Sequence, residues 1–200
     1  MYKLYGSPKS RAGRVIWMLE ELGVPYELIA AAPHSPEIVA VNPSGKIPVL
    51  VDGDLALSDS TAILFHLADK HGKLTFPAGS PERARMTAAL CFATDAIEQP
   101  LWTLAKHTFV LPEEVRQRDA IEPACRFEWK RAMKALEAMI GDGPFVMGET
   151  FTIADVTLGH LGAWGKANGF EAREGAVADY MDRVRSRPGW RAVVKAREAA

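Results

Sequence analysis

The stretch from Asn42 to Lys70 constrains the fold more than any other part of the sequence, because it holds the signals for a loop, two strands, a tight turn and a capped helix in succession. Residues 47–51 (IPVLV) form an apolar, β-branched run that begins with proline. Proline lacks the N–H that a strand interior requires, so this run begins a strand or lies at a sheet edge. Asp52-Gly53 separates it from a second apolar run, Leu55–Leu57, which is typical of a β-hairpin.

A helix is predicted directly after this hairpin. Ser58-Asp59-Ser60 supplies capping residues, and from Thr61 apolar residues recur at spacings of three and four until Gly72. Glycine at that point is the usual C-terminal stop. The first turn of a helix carries free N–H groups and the positive end of the helix dipole, so it favours an anion. The sequence therefore predicts a strand-turn-strand-helix unit with an anion-binding end.

The residues before this unit predict a β-α-β segment. Lys3–Tyr5 is a short strand, Val15–Leu22 is the body of a helix that Gly23 ends, and residues 25–31 form a second strand. Ser35–Val41 is a short helix or turn, with Pro36 well placed at its first position. A β-α-β connection requires a parallel pair of strands, whereas the hairpin is antiparallel. The first seventy-five or so residues thus predict a mixed α/β sheet domain.

Beyond residues 74–81, which have the composition of a linker, strand signals nearly disappear. Thr152 and Asp155 form a capping box, which is a structural signal for a helix start. The predicted helices run from Ser80-Pro81 to about Lys106, from Pro112 to Ile140 with a kink at Pro123, from Thr152, from near Arg173, and after Pro188. The fold class predicted is an α/β domain over residues 1–76 followed by an all-α domain over residues 82–200.

The charge balance, the apolar runs and the Cys and His residues limit the partners, the compartment and the metal sites that the sequence allows. The 24 basic and 25 acidic residues nearly cancel, which argues against nucleic acid or an anionic membrane as the main partner. No apolar run approaches the length of about 18 residues that a membrane span needs, and the N-terminus lacks the apolar core of a secretory signal. Cys91 and Cys125 lie in helical patterns and are expected to be buried free thiols, which suits the cytoplasm. The histidines show no ligand spacing, so no metal site is expected.

Three segments together resemble the cytosolic glutathione S-transferase family: NPSGKIPVL at residues 42–50, LSDSTAIL at residues 57–64, and the capping box at residues 152–155. The resemblance is to serine-type, bacterial-like members and covers nearly the whole chain. It implies a thioredoxin-like glutathione-binding domain over residues 1–76 and an all-helical domain over residues 82–200 that carries the electrophile site. It also implies a cytoplasmic homodimer that serves detoxification by joining the glutathione thiolate to a hydrophobic electrophile.

The resemblance assigns the cysteinyl part of glutathione to Ile47 and Pro48, at the start of the predicted strand. It implies that the bond before Pro48 is cis and that the Ile47 main chain pairs with the cysteinyl backbone of glutathione. The residues alone favour an ordinary trans proline at a sheet edge.

The two ends of glutathione are assigned to charged and hydroxyl groups. Ser60 and adjoining N–H groups suit the γ-glutamyl carboxylate, and Asp59 accepts from the γ-glutamyl ammonium, although the family more often has Glu there. Either residue also serves simply as an N-cap. Lys46 pairs with the glycyl carboxylate, and His34 is a further candidate for that end.

Ser10 is the predicted catalytic residue, because it matches the serine of the family's serine-using classes just before the first helix. Lowering a thiol pKa of about 8.5 by about two units takes roughly 2.7 kcal/mol. One hydrogen bond to the thiolate supplies about 1.5–3 kcal/mol, and a helix dipole adds about 0.3–1 kcal/mol. The alternatives at this turn are Ser7, Tyr5 and Arg11, and Ser10 also suits a role as a helix cap.

The sequence leaves the second substrate and the class of function open. Residues 98–107 are the predicted wall of the electrophile site, with Trp102, Lys106 and His107 as candidate contacts. No cysteine lies in residues 1–90, which excludes a thioredoxin-type mechanism through the protein's own thiols. A disulfide or peroxide reductase working through bound glutathione, and a non-catalytic binding or interaction module on the same fold, remain alternatives.

Overall fold

The computed structural model describes residues 1–170 and 174–200, so the helix start predicted near Arg173 lies outside the described residues. The chain packs as two compact units, one of Met1–Thr75 with Arg185–Ala200 and one of Phe76–Val184. The packing thus assigns the last helix to the first unit, whereas the division drawn from the sequence places it with residues 82–200.

A four-stranded mixed sheet forms the first unit, with β1 (Tyr2–Tyr5), β2 (Tyr26–Ile29), β3 (Val49–Asp52) and β4 (Leu55–Ser58) in the order β2-β1-β3-β4. β1 pairs parallel with β2 and antiparallel with β3, and β3 pairs antiparallel with β4. This is the mixed sheet that the sequence predicts.

The hairpin turn lies one residue later than the Asp52-Gly53 signal. Asp52 and Leu55 are paired across β3 and β4, so the loop residues are Gly53 and Asp54. Gly53 has φ 61°, a left-handed conformation that glycine adopts without steric cost.

The α-helices of the described residues are α1 (Ala12–Leu22), α2 (Pro36–Val41), α3 (Ser60–His71), α4 (Pro81–Phe92), α5 (Glu98–Ala105), α6 (Arg118–Ile140), α7 (Ile153–Ala167), α8 (Ala176–Arg185) and α9 (Pro188–Glu198). The glycines predicted to end α1 and α3, Gly23 and Gly72, both adopt left-handed C-cap conformations. No helix among the described residues is both long and apolar enough to span a bilayer.

α1 is the central helix of the first unit. It packs against α3 and α9, and Ala12–Leu19 are all buried, Arg14 among them. An apolar stripe along one face would bury only part of a helix. The burial of consecutive residues means that the Ala12–Leu19 part of α1 is covered all round, in part by the C-terminal helix.

α9 is fixed to α1 by aromatic and ionic contacts. The rings of Trp17 and Trp190 lie with their centroids 5.1 Å apart. Arg187 donates to both carboxylate oxygens of Glu21, at 3.0 and 2.6 Å, and the Trp17 indole N–H donates to the same carboxylate at 3.1 Å. The Glu21 side chain is only 8% exposed, so water does little to screen this pair.

The C-terminal part of α3 is held against β3. Asp52 Oδ2 contacts His66 Nε2 at 2.9 Å and accepts from Lys70. The Lys70 hydrogen bond, followed by that of His66, holds the pKa of the Asp52 carboxyl below its ordinary value.

In the second unit, the helix predicted to run to Lys106 extends further and is not uniform. Two five-residue π-helical segments, Ala93–Ile97 and Lys106–Val110, follow α4 and α5. The next long helix does not begin at Pro112: Glu113–Val115 form a 3₁₀ turn, and α6 begins at Arg118. Cys125 is buried as expected, but Cys91 is exposed, so the expectation of two buried thiols is wrong for Cys91.

The capping box at the start of α7 is present and leads to a buried hydrogen-bond cluster. Asp155 Oδ2 accepts from the Thr152 N–H at 2.8 Å, while Oδ1 accepts from the Val146 N–H at 2.9 Å and from the Tyr180 hydroxyl at 2.8 Å. Burial raises the pKa of Tyr180 well above its ordinary 10.0, so this hydroxyl remains a donor. The capping carboxylate therefore ties α7 to α8 as well as to the preceding loop.

Glu21→Ala should lower the free energy of unfolding by about 2 kcal/mol. The substitution removes the carboxylate that the half-buried Arg187 binds, and it removes the acceptor of the Trp17 indole N–H. Urea denaturation measures this change. The matched control is Glu27→Ala, an exposed position on β2, which should change stability by less than about 0.5 kcal/mol. Equal effects at the two positions would show that the Glu21 contacts add nothing.

Tyr180→Phe should lower the unfolding free energy by about 1.5–3 kcal/mol, because one donor to a buried carboxylate is lost. Tyr26→Phe is the matched control, since that hydroxyl donates to Glu20 in an exposed setting. Thermal and urea unfolding of the two variants should differ clearly, and a neutral Tyr180→Phe would contradict the stabilising role of the cluster.

Candidate functional site

The strand pairings bring three chain segments to one end of the sheet. Val49, the first residue of β3, pairs with Tyr5 at the end of β1 and with Ser58 at the end of β4. The turn after β1, the loop before β3 and the start of α3 therefore lie next to one another. Every predicted glutathione-binding residue except His34 lies on the loop or the helix start, and the candidate Ser10 lies in the turn.

The loop before β3 is organised by Asn42. Its side chain is buried, and Nδ2 donates to the Lys46 carbonyl at 2.8 Å. Its Oδ1 accepts from the N–H and the hydroxyl of Ser44, at 3.2 and 3.0 Å. These bonds close the loop on itself and leave the exposed Lys46 side chain at its end.

His34 joins this loop through Gly45. The His34 N–H donates to the Gly45 carbonyl at 2.7 Å, and a Cβ at position 45 would lie 2.1 Å from His34 Nδ1. The imidazole therefore packs directly on the Gly45 backbone, beside Lys46. The structure thus places together the two residues predicted for the glycyl end of the ligand.

The Ile47–Pro48 peptide bond is cis. Within the described residues, neither the N–H nor the carbonyl of Ile47 has a hydrogen-bond partner. A Cβ on Gly6, whose φ is 146°, would lie 3.5 Å from Ile47 Cβ, so the turn after β1 contacts this residue. Ile47 thus offers a main-chain donor and acceptor pair next to that turn.

The turn between β1 and α1 contains both candidate serines. The Ser10 hydroxyl donates to the Ser7 carbonyl at 2.7 Å and accepts from the Ala12 N–H at 3.1 Å. The Ser7 hydroxyl accepts from the Lys9 N–H at 3.2 Å. Arg197 of α9 donates from Nε to the Pro8 carbonyl at 3.0 Å and so stabilises the turn.

Asp59 is the N-cap of α3 and has an unusual backbone. Its Oδ1 accepts from the N–H groups of Thr61 and Ala62, at 2.8 and 3.3 Å, and Oδ2 has no partner within the part of the chain that the structure describes. Its φ of 72° with ψ of 121° is rare for a residue with a side chain and costs about 1–3 kcal/mol. Such strain persists only where the surrounding structure enforces it, and strained residues cluster at functional sites.

Ser60 begins α3 and is almost fully buried, at 2% exposure. Its Oγ accepts from Arg14 Nη1 at 3.3 Å, and its own hydroxyl hydrogen has no acceptor among residues 1–170 and 174–200. The helix end therefore combines a hydroxyl donor, the helix dipole and a buried cation. Such a combination favours an anionic group.

The candidate electrophile contacts belong to the second unit. Trp102 lies in α5, while Lys106 and His107 lie in the π-helical segment that follows it, and all are half-buried. His107 Nδ1 accepts from the Gln117 N–H at 3.1 Å, which fixes the ring and leaves a hydrogen on Nε2. This contact gives His107 a local structural role.

The described residues contain no group of three or more His, Cys, Asp and Glu side chains that would suit a metal ion.

Two residues of the site did not emerge from the sequence as functional. Arg14 carries the only formal charge between Ala12 and Leu19, and a charge in an otherwise apolar helix is a usable signal. Asn42 belongs to the quoted loop motif, but its role in closing the loop depends on a bond to Lys46 that spacing alone does not reveal.

Comparison with known proteins agrees with the fold. The profile described as "Glutathione S-transferase, N-terminal domain" matches residues 3–81, and that described as "Glutathione S-transferase, C-terminal domain" matches residues 119–196. Glutathione S-transferase 2 of Anopheles gambiae is 31% identical over 97% of this chain and 95% of its own. Disulfide-bond oxidoreductase YfcG of Escherichia coli is 28% identical over 94% of this chain and 92% of its own.

A solved structure supports the same relationship. The crystal structure of a glutathione S-transferase from Pseudomonas fluorescens superposes with a TM-score of 0.80 at 29% identity, covering 94% of this chain and 96% of that one. With both family profiles matched along the chain, the protein belongs to the glutathione S-transferase family.

Proposed function

We propose that this protein is a glutathione transferase that joins the glutathione thiolate to a small hydrophobic electrophile. The observation that carries the proposal is the convergence of three elements at one end of the sheet: the Ile47 main chain, which has no hydrogen-bond partner among the described residues, the serine-containing turn and the start of α3. Glutathione has a peptide backbone, two carboxylates, an ammonium and a thiol. Each group has a chemically matched partner at this end.

The cysteinyl part of glutathione is assigned to the loop before β3, and the γ-glutamyl end is assigned to the start of α3. The Ile47 N–H and carbonyl, beside Pro48, pair with the cysteinyl backbone. Ser60 donates to the γ-glutamyl carboxylate from its hydroxyl and N–H at the positive end of α3. Asp59 Oδ2 accepts from the γ-glutamyl ammonium, while Oδ1 continues to cap the helix.

The glycyl carboxylate is assigned to Lys46, with His34 beside it. Packing of the His34 imidazole on Gly45 keeps these two side chains at the same end of the loop. Lys46 is exposed, so its attraction for the carboxylate is screened and contributes modestly.

Ser10 is the proposed thiol activator. Its hydroxyl hydrogen is directed at the neutral Ser7 carbonyl. When a thiolate is present, rotation of this hydrogen to the sulfur replaces a neutral acceptor by a charged one, which forms the stronger hydrogen bond. Ser7 is the rival, because its hydroxyl only accepts, from the Lys9 N–H, among the contacts of the described residues.

The remaining assignments follow the family. Trp102, Lys106 and His107 are the proposed contacts of the electrophile. We infer a cytoplasmic homodimer that detoxifies reactive electrophiles, with glutathione as a cosubstrate and no resident metal.

Reduction of disulfides by bound glutathione is the second candidate. It is favoured by the similarity to the disulfide-bond oxidoreductase of Escherichia coli. The turn that would hold a redox cysteine contains two serines and no cysteine, so the glutathione thiolate itself would be the nucleophile. Parallel assays with a chromogenic aryl halide and with a mixed disulfide of glutathione separate the two activities.

Ser10→Ala should lower kcat for the aryl halide by about 10–100-fold and raise the pKa of enzyme-bound glutathione toward 8.5, because the thiolate loses about 1.5–3 kcal/mol of hydrogen bonding. The ultraviolet absorbance of the thiolate, followed against pH, measures this pKa directly. Affinity for S-methylglutathione, which has no ionisable thiol, should stay near the wild-type value.

Ser7→Ala is the matched control and should change the thiol pKa little. A large shift in Ser7→Ala with none in Ser10→Ala would move the catalytic role to Ser7. A thiol pKa that stays at the wild-type value in both variants would refute activation by a hydroxyl.

Asp59→Asn should weaken glutathione binding by about tenfold, because the ammonium loses its charged acceptor while the amide oxygen still caps α3. Isothermal titration calorimetry measures this. Asp54→Asn, an exposed substitution in the hairpin loop, is the control for loss of one negative charge. Desamino-glutathione, which lacks the ammonium, should bind wild type and Asp59→Asn equally, and a persistent difference would contradict the assignment.

A further inference from the structure

We propose that Arg14 is a positioning residue for the anionic end of the ligand: its guanidinium makes Ser60 Oγ an acceptor, so that the Ser60 hydroxyl hydrogen is presented to the γ-glutamyl carboxylate. This inference rests on the proposed function and concerns the same site.

The position of Arg14 is unusual for a charged residue. It is 1% exposed and lies in α1 among side chains that are otherwise apolar or small. Arginine is rarely buried to this degree, because removing its charge from water is costly. α1 packs against α3, and the Arg14 side chain meets the first residue of that helix.

The chemistry of the two groups fixes the direction of the hydrogen bond. A guanidinium has only donors and stays protonated at any pH at which proteins fold. With Arg14 Nη1 at 3.3 Å, Ser60 Oγ must therefore accept. A serine hydroxyl has one hydrogen, and within the described residues the hydrogen of Ser60 has no acceptor.

A hydroxyl free to rotate would lose orientational entropy when it donates to a ligand. The contact with Arg14 removes part of that freedom beforehand, because one lone pair of Oγ already faces the guanidinium. The same guanidinium adds a positive charge behind the helix N-terminus, where water does not screen it. Both effects favour a carboxylate over a neutral group of the same shape.

The test measures the preference for a carboxylate, because a purely structural role of Arg14 would not change it. Two probes are titrated calorimetrically into the full-length protein: glutathione, and glutathione whose γ-glutamyl α-carboxylate is replaced by the carboxamide. The ratio of the two dissociation constants is compared in wild type, Arg14→Met, Ser60→Ala and the double variant. Arg191→Met, an exposed substitution on α9, is the control for loss of one positive charge.

Arg14→Met should lower the preference for glutathione over its carboxamide by about tenfold or more, the effect of losing one charge-assisted contact. Ser60→Ala should lower it by a similar factor. Adding Arg14→Met to Ser60→Ala should lower it further by a smaller factor than in the wild-type background, because the orienting effect requires the hydroxyl. Arg191→Met should leave the preference unchanged.

Equal weakening of both probes in Arg14→Met would overturn the inference and leave the proposed function intact. An unchanged preference in Ser60→Ala would overturn it as well, and this holds even if Arg14→Met does not fold. Absence of glutathione binding by the wild-type protein at millimolar concentration would reject the proposed function and this inference together.

Discussion

Burial of Ala12–Leu19 on every side is the constraint on which the first unit depends. This part of α1 has no solvated face for a charged residue, so the guanidinium of Arg14 has to find partners inside the protein. One of these is Ser60, at the start of α3. The same burial requires a second layer over α1, and α9 supplies it through Trp190 and the pair of Glu21 with Arg187. The burial of α1 thus underlies both the packing of α9 and the contact of Arg14 with the start of α3.

The candidate site is formed mostly by backbone. Cis geometry at Pro48, the positive φ of Asp59 and the close contact of Gly6 with Ile47 are all main-chain features. Side chains then add polar and charged groups: Lys46 and His34 on the loop, Asp59 and Ser60 at the start of the helix. A site of this kind tolerates a variety of side chains around it, which accounts for family relatives with only about 30% identity along nearly the full chain.

Local signals in the sequence were sufficient for the mixed sheet, for the glycine stops of α1 and α3, and for the capping box of α7. Each depends on residues close together in the chain, where turn chemistry and helix capping act. The π-helical segments, the late start of α6 and the exposure of Cys91 were not predicted, because they depend on packing between distant residues. The grouping of α9 with the first unit and the bond from Arg14 to Ser60 are non-local for the same reason. The resemblance supplied what spacing could not, namely the cis bond before Pro48.

The attachment of α9 to α1 also bears on how the chain is synthesised. Residues 185–200 are synthesised after the whole second unit, yet they complete the unit that begins at Met1. Until they emerge, the indole of Trp17 lacks Trp190, Glu21 lacks Arg187 and the Pro8 carbonyl lacks Arg197. A nascent polypeptide that stops short of α9 therefore exposes one side of its first helix, and the serine-bearing turn lacks its contact with Arg197 until α9 has been synthesised.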